Sequence, residues 1–264
     1  VERLKQKTAL GFLPVMFIIT GIVFYGLSCS SSNKKDRLRI ASIDLLLSES
    51  IPLITQQADV LCLQGIKSSR VFSNIVHQLD YEYAQLAIAP EGGSHLGVLS
   101  KAPIINYTFH QPRFTIKGQE LSVRRGFQEL EIQTDSGAFS LIHVHLKSTA
   151  FHASMQSEMR RNELRLLKNL IIKKTPVTTL LVCGIFNENS SSKTLDKFLS
   201  DTQLKDTRPA DPLGAAWTHH DSKADSYERY AYSLMNQELS QKLRAAEIIH
   251  EPGFRILLSQ YDLN

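Results

Sequence analysis

Residues 178–192, TTLLVCGIFNENSSS, constrain the fold more than any other stretch of this 264-residue chain. Leu180, Leu181, Val182 and Cys183 make an apolar, β-prone run. Such a run without polar alternation predicts a strand covered on both faces, which requires further layers on either side of its sheet. Gly184 breaks the run, and Asn187, Glu188 and Asn189 form a polar turn ahead of three serines. A rigid strand that ends in a polar loop is where α/β proteins place chemistry, because the strand aims the loop residues. Ile185 stands beside Asn187, where a second polar or acidic group is expected.

The rest of the chain supplies the other layers. Residues 38–43 alternate as a first strand, and Val60 to Leu63 repeat the doubly covered pattern. Between them, Pro52 and a capping Ser50 predict a short helix over 51–57. Phe72, Ile75, Val76 and Leu79 predict an amphipathic helix over 69–79. Leu96 to Ser100 read as a strand between the Gly92-Gly93 turn and Pro103. Residues 122–134 and 138–147 read as strands joined by Asp135-Ser136-Gly137 as a short hairpin loop. Met155, Met159, Leu166, Leu167, Leu170 and Ile171 stripe a helix over 155–173, and the basic side of that helix reads as a solvated face. A helix over 192–199 and strands around 228–235 and 245–249 follow. The predicted class is α/β: a four-layer α/β sandwich of two packed mixed sheets flanked by helices, preceded by one N-terminal hydrophobic helix.

Ala9 to Leu27 is uncharged and 19 residues long, enough to span a bilayer core. Arg3, Lys5 and Lys7 precede it, as in an export signal. Two membrane readings stand: an uncleaved helix, or a lipoprotein-type signal in which Leu27-Ser28-Cys29 and the following serines make a lipidated Cys29 on a polar tether. Gly26 departs from the larger aliphatic residue usual in such a signal. The expected organisation is a membrane segment or signal over 1–28, a tether over 29–37 and one domain over 38–264. This places the domain at the membrane, on the extracytoplasmic side of a bacterial envelope. The three cysteines are at 29, 62 and 183 and show no zinc spacing; a Cys62–Cys183 bond is left open. A net charge of +4 permits an anionic ligand or a membrane surface without demanding nucleic acid, and no specific nucleic-acid recognition is evident.

From Leu38 onward the motifs RIASID, ADVLCLQ, HLGVLSKAPI, HVHLKS, GIFNENSSS, AWTHHDS, YERYAYSLM and LLSQYDLN occur in an order that resembles the endonuclease/exonuclease/phosphatase superfamily. That resemblance implies Mg²⁺-assisted phosphoester hydrolysis, in which a metal and hydrogen-bond donors neutralise charge on the phosphoryl oxygens. It also implies that acidic residues are missing. Asp44 stands where the family has asparagine, Gly65 where it has the metal-binding glutamate, and Ile185 where it has the aspartate of G-D-x-N. Ala231, beside Tyr232, stands where it has the aspartate of I-D-Y-I-L, and Ser259-Gln260-Tyr261 where it has S-D-H. His145 and Asn187 are in their expected places. The family would also run on into another strand beyond Asn264.

The leading expectation is a membrane-tethered domain that has lost its hydrolytic centre, needs no cofactor and serves as a binding or scaffold module, with a phosphate-containing ligand permitted. The first alternative is an active Mg²⁺-dependent phosphodiesterase or nuclease with a rearranged site built on Asp44 and Glu188, with His145 as a further ligand. The second is a truncated or decaying gene product. Among the remaining candidates, His143 reads as a neighbour of His145, His219-His220 as surface, and Gly92-Gly93 as an ordinary turn. Arg124-Arg125 can send only one guanidinium into the cleft, because successive strand residues point apart.

Overall fold

Buried apolar side chains sort into separate clusters, and the clusters define layers. The computed structural model describes residues 37–45, 51–90, 93–148, 153–174 and 179–263. The predicted segment 9–27, Cys29, the tether up to residue 36, Ser50 and Gly92 lie outside them. Among the described residues no helix is long and apolar enough to cross a membrane.

In chain order the elements are β1 (Arg37–Asp44), a 3-10 turn (Leu53–Gln57), β2 (Val60–Ile66), α1 (Ser69–Gln78), β3 (Tyr83–Ala87) and β4 (His95–Ser100). Next come β5 (Ile104–His110), β6 (Arg113–Ile116), β7 (Gln119–Ser122), β8 (Phe127–Thr134), β9 (Gly137–His145) and α2 (Ala153–Lys174). Then follow β10 (Leu180–Ile185), α3 (Lys193–Thr202), β11 (Lys205–Asp206), β12 (His219–Asp221), β13 (Ser226–Glu228) and β14 (Ala231–Met235). The chain closes with α4 (Gln237–Lys242), β15 (Leu243–Glu251) and β16 (Phe254–Asp262).

One six-stranded sheet has the order β15-β16-β1-β2-β4-β3, and the other β11-β14-β10-β9-β8-β5. Both are mixed: β1 and β2 run parallel, as do β9 and β10, and their other neighbours run antiparallel. The inner faces meet over Ile40, Val60, Cys62, Val98, Leu141, Leu181, Cys183 and Tyr261. The outer face of the first sheet packs Ile43, Leu61 and Leu63 against Phe72 and Ile75 of α1. The outer face of the second packs Ile142, Val144 and Val182 against Leu164, Leu167 and Ile171 of α2 and Phe198 of α3. This is the four-layer sandwich that the doubly apolar strands predict. Cys62 and Cys183 are both free and buried.

Local differences from the sequence expectations have local causes. The segment 51–57 makes only a 3-10 turn, with Thr55 N–H donating to Pro52 O and Ala58 N–H to Thr55 O, both at 3.0 Å. The expected strand over 122–134 is broken, because Gly126 takes φ +66° and its N–H closes a turn onto Val123 O at 3.1 Å. The expected strand over 228–235 divides into the end of β13 and the whole of β14. The β8–β9 loop is as predicted: Thr134 pairs with Gly137, leaving Asp135 and Ser136 as the turn. Ser68 and Ser192 cap α1 and α3 by accepting from Val71 N and Leu195 N.

Gly184 fixes how β10 meets β9. Its φ is +128°, and a Cβ there would stand 2.0 Å from the Val144 carbonyl oxygen. No side chain fits without separating the two central strands. Gly184→Ala is therefore expected to lower the unfolding free energy by roughly 3 kcal/mol or more, read as a shifted urea midpoint. An unchanged midpoint would show that the strands part freely.

Candidate functional site

The parallel pairs β1/β2 and β9/β10 end at the same edge of the sandwich, and ligands in α/β folds bind at such carboxyl ends. A cleft of about 620 Å³ opens there. Asp44 of β1 lines it and is level with Gln64 of β2. Arg255 of β16, next to the Ile256 that pairs with Ile43, lines the same wall. On the facing sheet His145, Ile185 and Ala231 form one row, because Ile185 pairs with His145 on one side and Ala231 on the other. Asn187, Ser148 and Arg125 close the polar side, and Thr218, Tyr230 and Phe254 the other.

Behind this row the two sheets share a buried polar chain. Gln64 Nε2 donates to Ser42 Oγ at 3.0 Å and faces His143 Nε2. His143 Nδ1 meets Gln128 Oε1 at 3.1 Å, and Gln128 Nε2 donates to Gln85 O at 3.0 Å. The Gln128 oxygen is thus the acceptor, so His143 carries its proton on Nδ1 and accepts on Nε2. Burial pushes His143 down to about 3, and it holds His145 well below its ordinary value as well, with Arg125 and His143 adding to the effect. Both imidazoles are neutral at physiological pH. His145 Nδ1 is buried with no hydrogen-bond partner.

Asn187 and Glu188 have structural work. Asn187 adopts φ +55°, a left-handed conformation that asparagine tolerates, and donates from Nδ2 to Leu146 O at 2.8 Å. Glu188 is turned away from the cleft: Oε1 receives Arg160 Nε at 2.5 Å, and Oε2 accepts the Ser192 hydroxyl. Glu188 and Asp44 therefore do not converge. Gly65 has φ +78° and sits where the pairing of β2 with β4 shifts register, so the backbone there is bulged. Gln64 lines the cleft in its stead.

The structure separates the Ser259-Gln260-Tyr261 segment from the site. Tyr261 pairs with Leu38 and Gln260 with Arg39, near the start of β1, whereas the cleft lies at its end. Tyr261 is buried between the sheets. The part of the C-terminal hairpin that reaches the cleft is Gly253-Phe254-Arg255. Arg255 lies 4.4 Å over the ring of Trp217, which stacks on His250 at 4.1 Å. His250 Nδ1 is 3.2 Å from Asp211 Oδ2, and its Nε2 is 3.1 Å from Trp217 O. Sequence reasoning missed Arg255 and this aromatic support, which only the β15–β16 pairing makes adjacent. His219 and His220 are exposed, as expected, yet they line the cleft mouth on the β12–β13 hairpin.

Arg125 is the guanidinium that enters the cleft, and Arg124 points outward. Arg125 Nε donates to Ser94 Oγ at 2.9 Å. Burial lowers its pKa, opposed by the nearby Glu163 and Asp44 carboxylates.

No protein-family model and no curated protein sequence matches the chain. Solved structures do. The β toxin of Staphylococcus aureus, in a double mutant with bound magnesium ions, superposes with a TM-score of 0.67 at 15% identity, over 85% of this chain and 99% of that one. An AP endonuclease from Archaeoglobus fulgidus gives 0.67 at 14%, over 85% and 99%. An endonuclease/exonuclease/phosphatase family protein from Leptotrichia buccalis gives 0.58 at 11%, again over 85% and 99%. The chain has the endonuclease/exonuclease/phosphatase fold.

Proteins of this fold include one with bound magnesium, so the residues of the cleft were matched against what Mg²⁺ needs. Mg²⁺ demands near-octahedral oxygen ligands, including carboxylates. Among the described residues lining the cleft, Asp44 alone is acidic, and Arg125 lies close to it. No group of three or more potential metal ligands converges among the described residues. In this endonuclease/exonuclease/phosphatase-fold chain, the residues present do not fit the ion.

Behind the cationic wall lies Glu163, fully buried, with Oε2 accepting from Lys147 N at 2.7 Å. Burial raises its pKa to about 7, partly offset by that bond and by Arg125, Lys147 and Arg160. The folded chain therefore holds a proton that the unfolded chain releases between pH 4.5 and about 7. Stability from this group falls as pH rises through that window. Glu163→Gln should remove the slope and gain roughly 1–3 kcal/mol over wild type at pH 8 relative to pH 4.5, measured by urea unfolding at both values. Parallel pH profiles of the two proteins would contradict it.

Proposed function

We propose that the domain is a non-hydrolytic binding module for a phosphate-containing ligand. It is held at the extracytoplasmic face of a bacterial membrane by residues 9–27 or by a lipid on Cys29. The observation that carries this reading is the row His145–Ile185–Ala231: one neutral imidazole and two apolar side chains in register across three strands, in a cleft that keeps its volume and two arginines.

Hydrolysis of a phosphoester needs charge neutralisation on the phosphoryl oxygens and an oriented, activated water. Ile185 and Ala231 offer neither a base nor a ligand, and they make the adjoining space apolar. Loss of a positioned base alone costs about 10²–10⁴ in rate, and among the described lining residues the one carboxylate, Asp44, stands on the opposite sheet from Ile185. Binding is a lesser demand. Arg125 and Arg255 meet a ground-state phosphate with charge-assisted hydrogen bonds. The names of the neighbours, an AP endonuclease and a toxin among them, support a phosphoester-shaped cleft without selecting a substrate.

The full chain is expected to leave nucleic acid, phosphodiester lipid and a chromogenic phosphodiester uncleaved with Mg²⁺ present. Orthophosphate should perturb the fluorescence of Trp217, the single tryptophan, and Arg125→Ala should weaken that binding roughly tenfold or more. Mg²⁺-dependent cleavage abolished by Asp44→Ala or Asn187→Ala would overturn the proposal.

A further inference from the structure

A second cleft of about 640 Å³ lies beside the first, lined by Pro90, Gln111, Arg113, Glu120, Leu121, Ser122, Arg124, Lys147 and Met159. It sits between the β6–β7 hairpin and α2. Its relation to the first cleft is set by chain geometry. Arg125 and Ser148 line the first, and their immediate neighbours Arg124 and Lys147 line the second. Arg124 and Arg125 are the central residues of the turn closed by Gly126 N–H onto Val123 O, and they line different clefts, as Lys147 and Ser148 do, so the dipeptides 124–125 and 147–148 form a partition with a cation on each side of it.

The charges of the second cleft are unequal. Arg113 is paired with Glu120 at 2.9 Å, and both are exposed. Among the described residues lining it, Glu120 is the only acid, against Arg113, Arg124 and Lys147. Lys147 is lowered by burial first and then by Arg124 and Arg125, as expected for an ammonium crowded by cations. Arg124 flanks Gly93: a Cβ there would meet Arg124 Nη2 at 3.4 Å, so the glycine leaves the guanidinium room.

We propose that this second cleft is an anion subsite, and that the ligand is a small molecule carrying at least two phosphate groups, one on each side of the partition. The proposal rests on the first cleft being a phosphate site and names the ligand class for it. Two bounded clefts of similar volume with a cation-bearing wall between them fit a compact bisphosphate or polyphosphate, where an extended nucleic acid would need a continuous basic groove. Joining two anionic groups makes the second contact intramolecular, so affinity rises without any new kind of contact.

The test titrates the full chain with orthophosphate and with tripolyphosphate at constant ionic strength, by calorimetry and by Trp217 fluorescence. Tripolyphosphate is expected to bind at least tenfold more tightly than orthophosphate, as linkage of two sites predicts. The double variant Arg124→Ala with Lys147→Ala should bring tripolyphosphate to within about threefold of orthophosphate and leave the orthophosphate titration read by Trp217 fluorescence, which reports on the first cleft, unchanged. The variant is expected to fold, because Arg124 is exposed and Lys147 holds Glu163 through its backbone N–H, which alanine keeps. Equal affinity for the two probes, or equal loss of both in the variant, overturns the second subsite while sparing the first. Failure of orthophosphate to bind the wild type overturns the parent reading instead. A single-stranded oligonucleotide that displaces tripolyphosphate at lower concentration than tripolyphosphate itself overturns the small-ligand assignment.

Discussion

The contact between Gly184 and the Val144 carbonyl decides the arrangement of the centre of the molecule. Because β10 has no Cβ at that position, β9 and β10 pair in parallel without separating, and the register that follows brings Ile185 level with His145 and Ala231. Past the end of β10, Asn187 takes a left-handed conformation and reaches back to Leu146, and Glu188 pairs with Arg160. The cleft owes its position to backbone geometry and its chemistry to the side chains that the geometry lines up. A site can lose the second while the first persists.

Electrostatics supports the proposal that the cleft takes an anion. The two histidines between the sheets are kept neutral by burial, so they contribute polarity without charge. Among the described lining residues Asp44 is the only acid, against the two arginines Arg125 and Arg255. Glu188 spends its carboxylate on a buried ion pair with Arg160, whose side chains are 10% and 6% exposed. Removing either partner would strand a buried charge, which ties this pair to the stability of the α2–β10 junction rather than to a ligand.

The layers were legible because their cause is local. Unbroken apolar runs at 60–63 and 180–183 demand cover on both faces, and the alternation at 142–146 sends His143 and His145 inward. That Gly65, Ile185 and Ala231 carry no acid is a property of sequence alone. The C-terminal part of the site was not legible. Gln260-Tyr261 resembles a motif in order along the chain, but the pairing of β16 with β1 carries Tyr261 to the far end of the sandwich and brings Gly253, Phe254 and Arg255 to the cleft. Register between distant strands is set by packing over the whole sheet, and no short window encodes it. Arg125 was half legible: the sequence reading sent one of two adjacent arginines into the cleft, but it placed them on a strand, whereas they sit in the turn closed by Gly126 onto Val123.

We propose that this chain keeps the cleft of the fold without a divalent-metal site. Electron paramagnetic resonance of Mn²⁺, titrated into the full chain as a Mg²⁺ surrogate, tests it most directly. The account predicts only the free-ion signal, undiminished in proportion to added protein across the micromolar to millimolar range. One saturable Mn²⁺ per chain, released by Asp44→Ala, would contradict it.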